Sequence, residues 1–158
     1  MQRDDGEWDE ENRHETATER LDRNWADILQ EVRVTQTGVQ LLTGFLLTLP
    51  FQSRFTTLTS TERAVYLVTV AASVLATGLL IAPVSLHRLL FRRHARAEMV
   101  ATAHRLAVGG IVLLGVAVVG VAEIVFAALL GDGWGWVAAG VAALVLLGLW
   151  LVLPLHLR

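Results

Sequence analysis

The stretch LAVGGIVLLGVAVVGVAEIVFAALLGDGWGWVAAGVAALVLLGLWLVL, residues 106–153, decides the fold. Its only charges are Glu123 and Asp132, and Gly131-Asp132-Gly133 divides it into two apolar runs. A hydrocarbon core about 30 Å thick needs roughly 20 apolar residues per helix. The two halves therefore predict membrane spans at about 106–130 and 134–153. The Gly-Asp-Gly break reads as a turn so short that these spans must be adjacent and antiparallel.

Working toward the N-terminus, residues 64–86 and 34–53 are also free of charge. They predict spans at about 64–82, with Pro83 as a kink or an end, and at about 34–51, closed by Pro50. The expected fold class is all-α: a polytopic membrane protein with four transmembrane helices in an antiparallel bundle, preceded by an N-terminal amphipathic cytoplasmic helix. Continuous apolar runs exclude a β-barrel, whose strands alternate with a period of two. The absence of cysteine removes disulfides, thiolate metal sites and thiol nucleophiles.

The 158-residue chain is 54% hydrophobic, with a net charge of −2 that hides a segregation. Residues 1–33 hold eleven acids and five bases, whereas 34–158 hold four acids and eight bases, and every base is arginine. Residues 1–15, MQRDDGEWDEENRHE, read as a disordered acidic cytoplasmic tail with too little apolar surface to offset the entropy of ordering. An acidic start with its first apolar run near Val34 does not resemble a cleaved secretion signal. Residues 16–33 place Leu21, Trp25, Ile28, Leu29 and Val32 on one helical stripe opposite Arg20, Asp22, Arg23, Asp27, Gln30 and Glu31. Thr16 and Glu19 have capping-box spacing, and Asn24 with Asp27 offers a second start. Such a helix either lies along the membrane surface or continues straight into span one.

Orientation follows from arginine. With both termini on one side, that side carries eleven arginines and the other only Arg54 and Arg63. Short-loop arginine marks the cytoplasmic side, so both termini are expected in the cytoplasm and the protein in the cytoplasmic (inner) membrane. Phe51, Phe55, Tyr66, Trp134 and Trp136 would then form the outer aromatic belt, with Trp25 and Trp150 near the inner one.

Glu123 is the one acid inside a span. A charge at mid-bilayer costs about 2.5–3.5 kcal/mol on insertion scales, which makes it a candidate ion or proton site. It lies about 10 Å from the outer end of its helix, within reach of interfacial water, Arg54 or Arg63, so a structural, snorkelling role is the plainer reading. Thr69 has a similar depth on span two, and with Ser73 it completes the candidate site. Gly109 and Gly120 share the Glu123 face, and Ala138, Ala139, Ala142 and Ala143 line span four, as close helix packing requires. Gln36, Gln40 and Thr43 give span one a polar stripe, and Thr69, Ser73 and Thr77 give span two another. The two stripes are expected to face each other or the bundle interior, as packing contacts before any water path.

Between spans two and three, Arg88, Arg92, Arg93 and Arg96 are candidate contacts for anionic lipid headgroups, each base attracting the negative leaflet by about 1 kcal/mol. The acidic tail is an alternative occupant. His87, His94 and His104 lack the i, i+4 spacing of a helical metal pair, so no metal or cofactor is expected. No triad, phosphate loop or paired-carboxylate site appears, and no enzyme is expected.

The blocks RNWADILQEVRVTQTGVQLLTGFLLTLPFQSRF (23–55) and LLIAPVSLHRLLFRR (79–93) resemble a family of short four-span membrane proteins from high-GC actinobacteria, a domain of unknown function. The resemblance covers most of the chain from about Arg20 onward. Some members of that family carry an automatic sodium:proton antiporter label. It implies no particular functional residues. Two roles follow as expectations. One is a non-catalytic membrane component partnered by the bilayer, by its own copies or by another membrane protein, without nucleic acid. The other is an oligomeric proton- or cation-coupled transporter using Glu123.

Overall fold

The computed structural model describes residues 16–90 and 96–156. Four long helices account for nearly all of them: α1 (Ala17–Thr48), α2 (Ser60–Leu90), α3 (Arg96–Leu130) and α4 (Asp132–Leu147). A π-helical turn, Gly148–Val152, leads from α4 into the short α5 (Leu153–His156). Three segments are long and apolar enough to cross a membrane by length and composition: Ser60–Ser85, Val100–Leu130 and Asp132–His156. They mark a membrane-embedded helical protein. α1 is not among them, because Glu31, Arg33, Gln36 and Gln40 dilute its apolar half.

α1 begins in a capping box. The Glu19 N–H donates to Thr16 Oγ1 at 3.3 Å, and the Thr16 N–H donates to a Glu19 carboxylate oxygen at 2.8 Å. Two of the donors that a helix start leaves unpaired are thereby satisfied. The helix then runs 32 residues without a break, so the boundary expected between residues 33 and 34 is absent. The amphipathic segment and the apolar segment belong to one continuous helix. The physical reason is a repeat of seven: Trp25, Val32, Val39 and Leu46 are all buried, giving one seam along the whole helix. Val32 and Val39 join Ala76 and Leu80 of α2 and Ala107 of α3 in the core.

α1 ends at Thr48, three residues short of the expected Phe51. Pro50 tightens Leu49–Phe51 into a 3₁₀ turn, and a second such turn covers Ser53–Thr57. α2 then opens on another reciprocal box, in which the Thr59 N–H donates to Glu62 at 2.7 Å and the Glu62 N–H donates to Thr59 Oγ1 at 3.2 Å. Pro83 lies inside α2 and is buried there, so it does not end the helix. α2 and α3 form the central antiparallel pair, α1 packs on both, and α4 packs on α3. At 31 and 35 residues, α2 and α3 are about 46 and 52 Å long and outreach a 30 Å hydrocarbon core.

The α3–α4 connection is tighter than the three-residue turn expected. Only Gly131 leaves the helical conformation, at φ 99°, and Asp132 already begins α4. Such a φ is a glycine conformation, and it reverses the chain in one residue. At the other end of α4, Pro154 has no N–H to donate and its ring crowds the carbonyl four residues earlier. The preceding turn slips register, so that the Leu153 N–H reaches Gly148 O five residues back.

The α1 cap carries a pH signature. Backbone and side-chain hydrogen bonds from Thr16 hold the Glu19 carboxyl below its ordinary value of 4.5, outweighing a small opposing desolvation. A lowered carboxyl stabilises the cap above the ordinary value, and that stabilisation disappears as pH falls through the lowered one. In Thr16→Ala the Glu19 titration midpoint is expected to rise toward 4.5, read from its side-chain carboxyl ¹³C resonance. The Thr16 backbone N–H, the larger cause, survives in this variant, so the rise is expected to be partial, and an unmoved midpoint would remove the Thr16 hydroxyl as a cause.

Candidate functional site

Glu123 reaches the bundle interior because α2, α3 and α4 approach closely around it. On the α4 side, a Cβ built on Gly135 would sit 2.7 Å from Ala127 Cβ and 2.9 Å from the Glu123 carbonyl oxygen. Only a residue without a side chain fits, and Gly135 is buried. On the α2 side, a Cβ on Gly120 would overlap Thr69 Oγ1 and lie 3.1 Å from Thr69 Cβ. Gly120 stands one turn before Glu123, so α2 closes over the carboxyl's own helix face.

These approaches bury three polar side chains: Glu123 is 3% exposed, Thr69 1% and Ser73 0%. The hydroxyls find partners. Thr69 Oγ1 donates to Val65 O at 2.7 Å and Thr77 Oγ1 to Ser73 O at 2.9 Å, the local back-bonding open to hydroxyls in helices. Thr43 Oγ1 donates to Val39 O at 2.8 Å and also pairs with Ser73 Oγ across the α1–α2 interface. The Tyr66 hydroxyl donates to Leu46 O at 3.0 Å, tying the start of α2 to the end of α1. Phe55 packs edge-on against Tyr66, with ring centroids 5.0 Å apart.

Glu123 is the exception. Its Oε2 is buried with no hydrogen-bond partner among the described residues. The expected contact with Thr69 or Ser73 is not made at that oxygen, because one hydroxyl is turned to its own backbone and the other to Thr43. Arg63 is exposed, and the Arg54 side chain is not among those described.

The remaining candidates are dispersed. Gln36 is half-buried and Gln40 is exposed, which leaves Thr43 as the stripe residue that meets a hydroxyl of α2. Arg88 and Arg96 fall near the facing ends of α2 and α3, whereas Arg92, Arg93 and the acidic tail lie outside the described residues. Sequence reasoning missed Gly135 and Tyr66 as neighbours of this region. Gly135 was readable only as one residue of span four, because its role depends on how closely α4 returns along α3.

The Gly120–Thr69 contact is testable. Gly120→Ala is expected to lower stability by about 1–3 kcal/mol, as overpacking does, measured by unfolding in mixed micelles. Adding Thr69→Ala removes the hydroxyl and methyl in the way and is expected to recover most of that loss. Additive losses in the double variant would separate the two residues.

No curated protein matches the chain. No solved structure matches it. Residues 14–154 match the model of a family of unknown function (DUF6328), and the chain belongs to that family.

Proposed function

We propose that this protein is a non-catalytic component of the cytoplasmic (inner) membrane, crossing it four times with both termini in the cytoplasm, and that it works by packing with its own copies or with another membrane protein. The observation that carries this reading is the bareness of α4: 6% of its apolar stretch is buried within the chain, against 33% for that of α2. The buried hydroxyls are already engaged with one another or with backbone, so they support packing rather than chemistry.

The Thr48 half of α1 supplies the fourth crossing. It runs beside α2, with Tyr66 bonded to Leu46 near one end and Thr43 paired with Ser73 deeper in. The arginine asymmetry, eleven against two, supports the orientation. Arg88, Arg92, Arg93 and Arg96 would then meet anionic headgroups of the inner leaflet.

A second reading has its own observation, the partnerless Oε2 of buried Glu123. An intramembrane carboxyl without a fixed partner suits a proton- or cation-coupled transporter acting as an oligomer. The two readings separate in proteoliposomes under an imposed proton gradient. The packing reading expects no flux from the wild-type chain, and Glu123→Gln to fold at least as well. A wild-type flux abolished by Glu123→Gln would replace it with the transporter reading.

A further inference from the structure

Along the N-terminal half of α1 runs an open cleft of about 690 Å³, lined by Asp27, Gln30, Glu31, Val34 and Thr35 together with Ile111 of α3. A second cleft of about 610 Å³ adjoins it, shares Gln30 and Val34, and adds Arg33. Thr35 Oγ1 donates to its own helix, at Glu31 O and 3.0 Å. The side chains left to meet an occupant are an amide, two acids, one base and aliphatic carbon.

These groups are sorted along the helix axis. Residues 34–53 carry no charge, and about twenty residues make one crossing, so the hydrocarbon edge falls at Val34. Thr43 pairs with Ser73, and Gly110 meets Leu80 and Ala76, a register that puts Ile111 about level with Gly38 and deeper in hydrocarbon than Val34. The headgroup layer beyond that edge is about 5–7 Å deep. At about 1.5 Å per residue, Arg33 stands on its hydrocarbon side, Gln30 and Glu31 near its water side and Asp27 just past it. From the membrane outward the order is apolar, basic, acidic.

That is the order of acyl chain, phosphate and ammonium in a phospholipid with a free amine. We propose that the cleft holds the headgroup of phosphatidylethanolamine, an inference that rests on α1 supplying the fourth crossing. Arg33, with Gln30 one turn before it, takes the phosphate. Asp27 and Glu31, at i and i+4 on one helix face, take the ammonium, whose three N–H groups need acceptors. The acyl chains lie against Val34 and Ile111. A headgroup with only the phosphate charge would leave the two acids facing an anion, and a choline has no N–H to give them.

The test uses the chain in phosphatidylcholine nanodiscs with a trace of phospholipid that carries a diazirine on an acyl chain. Ultraviolet light attaches the probe, and mass spectrometry locates it. An ethanolamine probe is expected to label the segments around Val34 and Ile111 about two- to five-fold more than a choline probe, the size of partly exposed charge contacts. Asp27→Asn with Glu31→Gln should bring the two probes level, whereas Arg33→Gln should lower labelling by both. On the wild-type chain, unlabelled phosphatidylethanolamine should displace the ethanolamine probe and phosphatidylglycerol should not.

Equal labelling by the two probes, or a preference that survives loss of both acids, overturns the proposal. So does displacement by phosphatidylglycerol, which would assign the cleft to an anionic headgroup. The crossing has its own readout. The chain has no cysteine, so Ser53→Cys supplies a single thiol, and an impermeant maleimide added to intact cells is expected to label it. Labelling there without a headgroup preference overturns the lipid site alone. Labelling only in opened cells overturns the crossing as well.

Discussion

The structure depends on how closely its helices can approach. Between helices in hydrocarbon there is no gain from excluding solvent, since lipid tails are as apolar as leucine, so association comes from dispersion contacts and hydrogen bonds at short range. Gly120 against Thr69 and Gly135 against Ala127 are places where one added carbon would force the helices apart. With those approaches in place, α3 serves as the central helix and touches each of the others. Gly131 makes the α4 approach possible, because a one-residue reversal leaves no slack between α3 and α4.

α1 follows a different rule. Its buried residues recur every seven, from Trp25 to Leu46, while the face away from the bundle changes from polar to apolar along the helix. One seam thus spans two environments. A helix in the membrane plane would need its apolar stripe to face lipid, but here the stripe is occupied by α2 and α3, so α1 stays in line with them. The capping box at Thr16 and Glu19 gives this polar half a defined start.

Much of this was legible in the sequence, for physical reasons. Apolar runs longer than a hydrocarbon core leave few options, which is why the three apolar segments and the Gly131 reversal could be read directly. The Thr16–Glu19 box is local chemistry at fixed spacing and was equally readable. The seven-residue repeat was in the sequence too, but a stripe on an amphipathic helix reads alike whether it meets lipid or protein. The direction of the hydroxyls was not legible. Thr69 and Ser73 each had several acceptors within one turn, and which one each took depended on the distance to α1 and α3.

Glu123 breaks the consistency that governs the rest of the interior. Small residues, engaged hydroxyls and apolar contacts all lower the energy of close helices, whereas a buried carboxyl oxygen without a partner raises it. Nothing in the packing requires an acid there. The close contact at that position is made by the backbone, through the Glu123 carbonyl facing Gly135, and would be available to an alanine or a leucine of suitable shape. Close helix packing alone therefore does not account for the buried, partnerless carboxyl oxygen at this position.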